Sequence, residues 1–233
     1  MPHPLRIELQ GEALDLHAER ALFWPRRRTL IVADVHLGKD AVFRRAGLPI
    51  PAGAVATDLA RLEALVDRFA PERLLVLGDL LHAPIHASDT AWIEQVSAFR
   101  ARHASLAFDV VRGNHDRAPE RVPSAWGLRW LEDGAHEAPF VFMHDARDDD
   151  RGYALGGHLH PVMRLNSATD SLRLPVFWLR AGYGVLPSFG GFTGGYPIGS
   201  RVARGERAYA ATPEGVIEIA STRRRRPGEA RGR

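Results

Sequence analysis

The 233-residue chain contains no cysteine. That absence removes disulfides, thiolate nucleophiles and cysteine-built zinc sites together, so a bound metal has to be held by His, Asp, Glu, Asn or water. Long apolar runs are also missing, and none approaches the length that crosses a bilayer. The opening MPHPLRIELQGEALDLH carries acids where a signal peptide needs an apolar core, which predicts a cytoplasmic protein without a membrane partner. Lysine is nearly absent: Lys39 is the only one among 31 basic residues, a compositional preference for arginine. The body lacks an excess of positive charge as well. The formal net charge is +3, but residues 223–233 (RRRRPGEARGR) carry six Arg and one Glu, and removing their +5 leaves −2. The sequence pI of 9.8 therefore describes a tail more than a folded surface.

What is present is a globular composition, 45% hydrophobic and 25% charged, with 11 histidines. Residues 1–220 read as one domain and 221–233 as a disordered Arg-rich tail. LRIEL, ALDLH and ALFW form a meander leading into TLIVAD. Residues 55–69 place Val55, Leu59, Leu62, Leu65, Val66 and Phe69 on one helical face, and residues 88–102 do the same with Trp92, Ile93, Val96 and Phe99 behind a Ser88 cap. Between and after these helices lie the short apolar runs RLLVLGD, FDVVRGN, FVFMHD and YALGGH. Strands alternating with helices predict an α/β layered sheet whose C-terminal strand ends converge on one edge. From Leu172 the pattern changes to LRLPVFWLR, a Gly-rich stretch over 182–199, and two runs around Pro213-Glu214-Gly215, which predicts a second, antiparallel sheet.

Each candidate strand of the first part ends in residues that ligate metals: Asp34 and His36 in ADVH, Asp79 in LGDL, Asn114, His115 and Asp116 in RGNHD, His144 in FMHD, and His158 and His160 in GGHLH. A single histidine after a strand is an ordinary structural side chain, but five such sites in order are a pattern. In an extended strand, residues i and i+2 point the same way, so Asp34/His36 and His158/His160 are each expected to grip one ion, with Asp79 between them as a bridging carboxylate. Two cations roughly 3.5–4 Å apart clamp the attacking and leaving oxygens of phosphoryl transfer and turn a shared water into hydroxide. The sulfur-free imidazole, carboxylate and carboxamide set suits Mn²⁺ or Fe better than a structural zinc, with Zn²⁺ also compatible. His115, between Asn114 and Asp116, is expected to face the substrate as general acid, with Asp116 holding its tautomer.

The ordered series D-x-H, G-D, G-N-H-D, H and G-H-x-H resembles the calcineurin-like metallophosphoesterase superfamily over residues 29–160. The resemblance implies a double β-sandwich flanked by helices in α/β/β/α layers. It also implies one metal on Asp34, His36, Asp79 and His160, a second on Asp79, Asn114, His144 and His158, and His115 as the catalytic histidine. Asp145 stands where the superfamily frequently has Gly, which bears on loop shape rather than ligation. The blocks DVHLGKDAVFRRAGLPIP at 34–51, GDLLHA at 78–83 and PSFGGFTGG at 187–195 are similar to the ligase-associated DNA damage response endonuclease (PdeM) family. That similarity implies a Mn²⁺-dependent phosphodiesterase or nuclease that accompanies an ATP-dependent DNA ligase, a Lhr-type helicase and a β-CASP-type exonuclease in bacterial DNA repair.

Further candidates for substrate contact are His82, three residues after Asp79, and Lys39, Arg44 and Arg45 just after the first metal motif, all of which also suit a solvated face. Tyr183, Phe189, Phe192 and Tyr196 in the Gly-rich stretch are either rings on which a base stacks or core residues, and the core is expected for most of them. The leading function is a two-metal phosphodiesterase with nucleic acid as its substrate. Read from the residues alone, a phosphomonoesterase or a small-molecule diesterase stays open. A protein-interaction scaffold is the non-enzyme alternative, although scaffolds of this fold tend to lose ligands and here His115 and all seven ligand positions are filled.

Overall fold

The structure is a computed structural model that describes residues 2–166, 171–199 and 202–220. The expected tail, 221–233, lies outside the described residues. The first sheet has the order β1 (Leu5–Leu9), β2 (Glu12–His17), β3 (Ala21–Trp24), β4 (Thr29–Val32), β5 (Arg73–Leu77), β6 (Ala107–Val111) and β7 (Leu128–Leu131). Strands β1 to β4 are the expected antiparallel meander, and β4 to β7 run parallel. The parallel half therefore brings the C-terminal ends of β4, β5 and β6 to one edge.

Helices supply its crossovers: α1 (Lys39–Arg45), α2 (Ala54–Phe69) and α3 (Thr90–Arg102). The apolar stripe of α2 is buried as its period requires, at Val55, Leu59, Leu62, Leu65 and Val66. In α3, Trp92, Val96 and Phe99 are buried and Ile93 is half-buried. Its start differs from expectation, since the residue before the first turn is Asp89 rather than Ser88 and no side chain caps it. Asp89 is occupied by the His86 amide (2.8 Å) and by Arg45, while the Ser88 hydroxyl pairs with His86 Nδ1 at 2.8 Å.

The second sheet is built from β8 (Ala135–Glu137), β9 (Phe140–Phe142), β10 (Tyr153–Gly156), β11 (Pro161–Asn166), β12 (Ser171–Leu179), β13 (Tyr183–Val185), β14 (Tyr196–Pro197), β15 (Arg207–Thr212) and β16 (Gly215–Ile219). Strand β12 lies antiparallel to β11, β13 and β15, and Pro213-Glu214 turns the β15–β16 hairpin. The sheet is mixed rather than antiparallel, because β10 runs parallel to β9 and β13, and β11 parallel to β14. It also begins earlier than the sequence pattern predicts, since the FVF and YAL runs belong to it and not to the first sheet. Both strands are buried on both faces, so no alternation of polar and apolar residues marks which sheet they join.

Side-chain alternation divides the core into layers. Leu30 and Val32 of β4 face the helices together with Leu74, Val76, Phe108 and Val110. Ile31, Leu75, Leu77 and Val111 point the other way and meet Phe140, Phe142, Leu155, Phe177 and Leu179 of the second sheet. Trp24 seals the seam, packing edge-on to Phe140 at 5.0 Å while its indole N–H donates to Glu12 at 2.7 Å. Burial of each such side chain contributes about 1.5–3 kcal/mol, and the inter-sheet layer holds 20 buried residues, enough to clamp the two sheets face to face. The double β-sandwich with flanking helices is thus the observed architecture; among the described residues all three α-helices pack on the first sheet. No helix among them is long and apolar enough to cross a membrane.

Candidate metal centre

Two sets of strand ends meet at the edge of the sandwich. Asp34 and His36 follow β4, Asp79 follows β5 and Asn114 follows β6. His144 follows β9, and His158 and His160 follow β10. Strand alternation is not what aims them, contrary to the expectation for the two i/i+2 pairs. The strands end at Val32 and Gly156, and Asp34, His36, Asp79, His158 and His160 all have φ between 49° and 69°. Non-glycine residues in this left-handed region cost about 1–3 kcal/mol each and persist where neighbours over-determine them. Here the neighbours are backbone: the Asp34 amide donates to the Gly78 carbonyl (3.2 Å), His36 to Asp79 (2.9 Å) and Leu37 to Leu80 (2.8 Å). From the second sheet, the Ser188 hydroxyl and the Gly190 amide both donate to the Asp34 carbonyl, at 2.8 and 3.2 Å.

Close approach explains two motif glycines. A Cβ on Gly113 would lie 2.2 Å from the Asp79 amide and Oδ1, and one on Gly157 would lie 2.2 Å from Asp34 Oδ2. Each glycine lets one loop press its backbone on a carboxylate of another.

The resulting donor groups are tight. The ligating atoms of Asp34, His36 and His160 lie within 4.8 Å of one another, and so do those of Asp79, His144 and His158. His158 and His160 therefore divide between the two groups instead of standing together in one. Asp79 Oδ2 sits between the groups, 3.8 Å from His36 Nε2 and 3.5 Å from His144 Nε2. Asn114 Oδ1 joins the second group, 2.8 Å from His144 Nε2, with His158 Nδ1 at 3.0 Å from the same nitrogen.

This chemistry fits a cation. Around His144 Nε2 stand a carboxamide oxygen, a carboxylate oxygen and a second imidazole nitrogen, yet a single ring nitrogen carries at most one proton. In the first group His36 Nε2 and His160 Nε2 face each other at 3.4 Å beside buried carboxylates. Burial pushes the Asp34 carboxyl up, with His160 and His144 pulling it back. Burial, reinforced by Lys39, drives His36 down to about 2, so its ring is neutral with a lone pair to give. Lone pairs converging from five loops are what divalent metals satisfy.

A third cluster flanks the first group. His115 Nδ1 lies 2.7 Å from the His82 carbonyl, which can only accept, so that nitrogen carries the proton. The His82 ring stacks on His115, with centroids 5.0 Å apart at 19°, and meets His36 edge-on at 5.3 Å. Burial and the Lys39 charge lower His82 to about 4. Asp116 does not hold the His115 ring, as the sequence reading expected. Its carboxylate accepts the amides of Leu81 (2.9 Å), Gly113 (3.0 Å) and Leu80 (3.4 Å), tying the Asp79 loop to the Asn114 loop, and burial lifts it to about 6.

Of the basic candidates, Lys39 lies half-buried beside His36 in a narrow cleft, with burial lowering its pKa and Asp79 and Asp34 raising it. Arg44 is turned away to Asp40 (2.9 Å) and the Pro51 carbonyl, and Arg45 to Asp89. Phe189 is core, while Phe192 stands partly exposed with its ring 5.5 Å from Phe43, which in turn lies 5.7 Å from His82. Tyr196 is exposed. Two contributors lie outside every motif: Asp133, which accepts the His144 amide at 2.9 Å, and Arg20, which lines a cavity beside His160. Ser188 falls within the 187–195 block, and its bond to the Asp34 carbonyl gives that block a role at the site.

The calcineurin-like phosphoesterase family matches residues 27–203, which span every ligand loop. The chain belongs to that family. The phosphoesterase is also similar to the Pseudomonas putida nuclease MPE, at 35% identity and a TM-score of 0.80, over 93% of this chain and 100% of that one. No curated protein matches it. Family and fold together make it a metal-dependent phosphoric ester hydrolase.

Proposed function

We propose that the chain is a two-metal phosphodiesterase that cuts nucleic acid, with residues 1–220 as its catalytic domain. The observation that carries this reading is the pair of donor groups joined through Asp79. Asp34, His36, Asp79 and His160 would hold one cation, and Asp79, Asn114, His144 and His158 the other. Their oxygen and nitrogen character favours Mn²⁺, with Fe or Zn²⁺ also fitting. When bound, the cations supply positive charge to the phosphoryl oxygens and acidify water at the site.

The chain's own residues orient the substrate. With Nδ1 fixed on the His82 carbonyl, His115 presents Nε2 to the substrate side, and a proton held there passes to the departing oxygen. His82, neutral and stacked on His115, excludes water from that proton's path. Lys39 places its ammonium beside the His36 group, where it offsets phosphate charge. Likeness to a nuclease supports a nucleic-acid substrate, and a body of net charge −2 argues against sequence-specific readout of a duplex. The similarity of residues 34–51, 78–83 and 187–195 to the ligase-associated family supports a cytoplasmic role in DNA repair alongside a DNA ligase, a Lhr-type helicase and an exonuclease.

The test is Mn²⁺-dependent hydrolysis of an aryl phosphodiester beside the matching monoester, with wild type and His115→Ala. Diester cleavage that requires metal and falls by about 10²–10⁴ in the variant supports the reading. A preference for the monoester refutes it.

A further inference from the structure

A cavity of about 180 Å³ opens against the outer side of the His160 loop. Its wall includes His160, Ser188, Gly191 and Thr193, and two arginines, Arg20 and Arg173, reach it from different sheets. Ser188 is the residue whose hydroxyl holds the Asp34 carbonyl, so the cavity and the candidate metal centre share a wall.

Arg20 is the unusual member. It sits in the β2–β3 turn with φ of 63°, in the left-handed region. Its guanidinium offers five N–H donors and its one hydrogen bond among the described residues is a long contact to the Gly190 carbonyl at 3.3 Å; no carboxylate pairs with it there. Its neighbour Arg61 shows what a structural arginine looks like here. Arg61 is consumed by the Glu19 carboxylate and carbonyl, Asp58 and the Phe189 carbonyl. Burial lowers Arg20 to about 10, assisted by Arg61, so it stays a cation at neutral pH; Asp58 and Glu19 act on it through charge alone, while their carboxylates bond Arg61. Arg173 is exposed, and it gives one bond to the Gly195 carbonyl at 3.0 Å and no ion pair among the described residues. A part-buried guanidinium with most of its donors unfilled, as in Arg20, costs free energy, and the chemistry that offsets it is a multidentate oxyanion.

We propose that this cavity binds the phosphate next to the one being cleaved, with Arg20 and Arg173 as its ligands, so that the site selects diesters that carry a neighbouring phosphate. The inference rests on the phosphodiesterase reading and adds a second phosphate position to it. Arg20 here determines specificity rather than acting on the reacting atoms.

Two fluorescent thymidine tetranucleotides test it: one with three phosphodiesters, the other with only the central linkage charged and methylphosphonates on either side. Affinities are measured by anisotropy with Ca²⁺ replacing Mn²⁺. Wild type is expected to favour the fully charged strand by about tenfold or more, the effect of a charge-assisted arginine–phosphate contact. Arg20→Gln is expected to bring that ratio close to the value set by charge alone, and Arg20→Lys to restore part of it. Arg173→Gln carries the same expectation should Arg20→Gln not fold, and Arg102→Gln, whose guanidinium pairs with Glu63, keeps the wild-type ratio. A wild-type ratio near one, or an undiminished ratio in both Arg20→Gln and Arg173→Gln, overturns the proposal. A wild type that keeps the tenfold ratio yet hydrolyses no diester with Mn²⁺ would refute the phosphodiesterase reading and leave the phosphate cavity standing.

Discussion

Replacing Gly157 with alanine probes the centre through one methyl group. The backbone at 157 is not in the left-handed region, so an alanine there is penalised by contact alone. Its Cβ would stand 2.2 Å from Asp34 Oδ2 and 2.7 Å from the Ala33 Cβ. Neither side yields easily: the Gly157 amide is pinned on the His144 carbonyl at 2.8 Å, and Asp34 is fully buried with both oxygens held by the His158 amide at 2.9 and 3.1 Å. Overpacking of this kind costs about 1–3 kcal/mol, and a carboxylate pushed off the His158 amide forfeits a charged hydrogen bond worth about 1.5–3 kcal/mol. Because the backbone relaxes partway and spares part of one contribution, a net loss of about 2–4 kcal/mol is expected, which in a chain of this size lowers Tm by about 6–12 °C. The displaced Asp34 also weakens metal binding by about 10–100-fold. Thermal melts of the metal-free protein and Mn²⁺ titration by calorimetry read the two effects separately. An alanine variant that melts with the wild type and titrates Mn²⁺ with unchanged affinity would show that the two loops are not pressed together as described.

Three further outcomes are expected. Asp116→Ala strips the acceptor from three buried amides and should cost about 3 kcal/mol or more in urea unfolding, with Asp116→Asn recovering part of the loss; equal stability of all three proteins would contradict the role assigned to this carboxylate. Asp109 is buried and carries Arg73 at its Oδ2 and Arg129 on both oxygens, so Asp109→Ala leaves Arg73 without its inner partner and should destabilise by about 3 kcal/mol, whereas Arg129→Ala, at the exposed end, should cost far less. His17 is buried with its Nδ1 accepting the Glu19 amide at 3.1 Å, and burial, helped by Arg68, holds its pKa below 6.5. A base whose folded pKa lies below the unfolded one contributes stability that is complete above about pH 6.5 and lost as pH falls toward the folded value; His17→Phe should flatten the stability difference between pH 7.5 and 5, and an unchanged slope would exclude His17 as its source.

The site was more legible than the sheets, and the reason is physical. A metal ligand must be one of a few residue types, and a loop that carries one past a strand end leaves a short, ordered signature such as Asp34-x-His36 or Gly113-Asn114-His115. Sheet membership leaves none when a strand is buried on both faces: Phe140–Phe142 and Tyr153–Gly156 look like Arg73–Leu77. Orientation was illegible for a different reason. The strand rule that side chains at i and i+2 share a direction holds only for extended backbone, and at Asp34, His36, His158 and His160 the backbone is left-handed. That conformation is imposed from outside the motif, by the carbonyls of Gly78 and Asp79 and by the amides that close on Asp34, and so no local reading reaches it. The same holds for the partner of His115. Sequence proximity points to Asp116, but that carboxylate is taken by the amides of Leu80, Leu81 and Gly113, and the carbonyl that fixes the ring comes from His82, 33 positions away. What a spacing pattern carries, then, is which residues gather at the strand ends; their division between two donor groups is a property of turns that distant strands hold open.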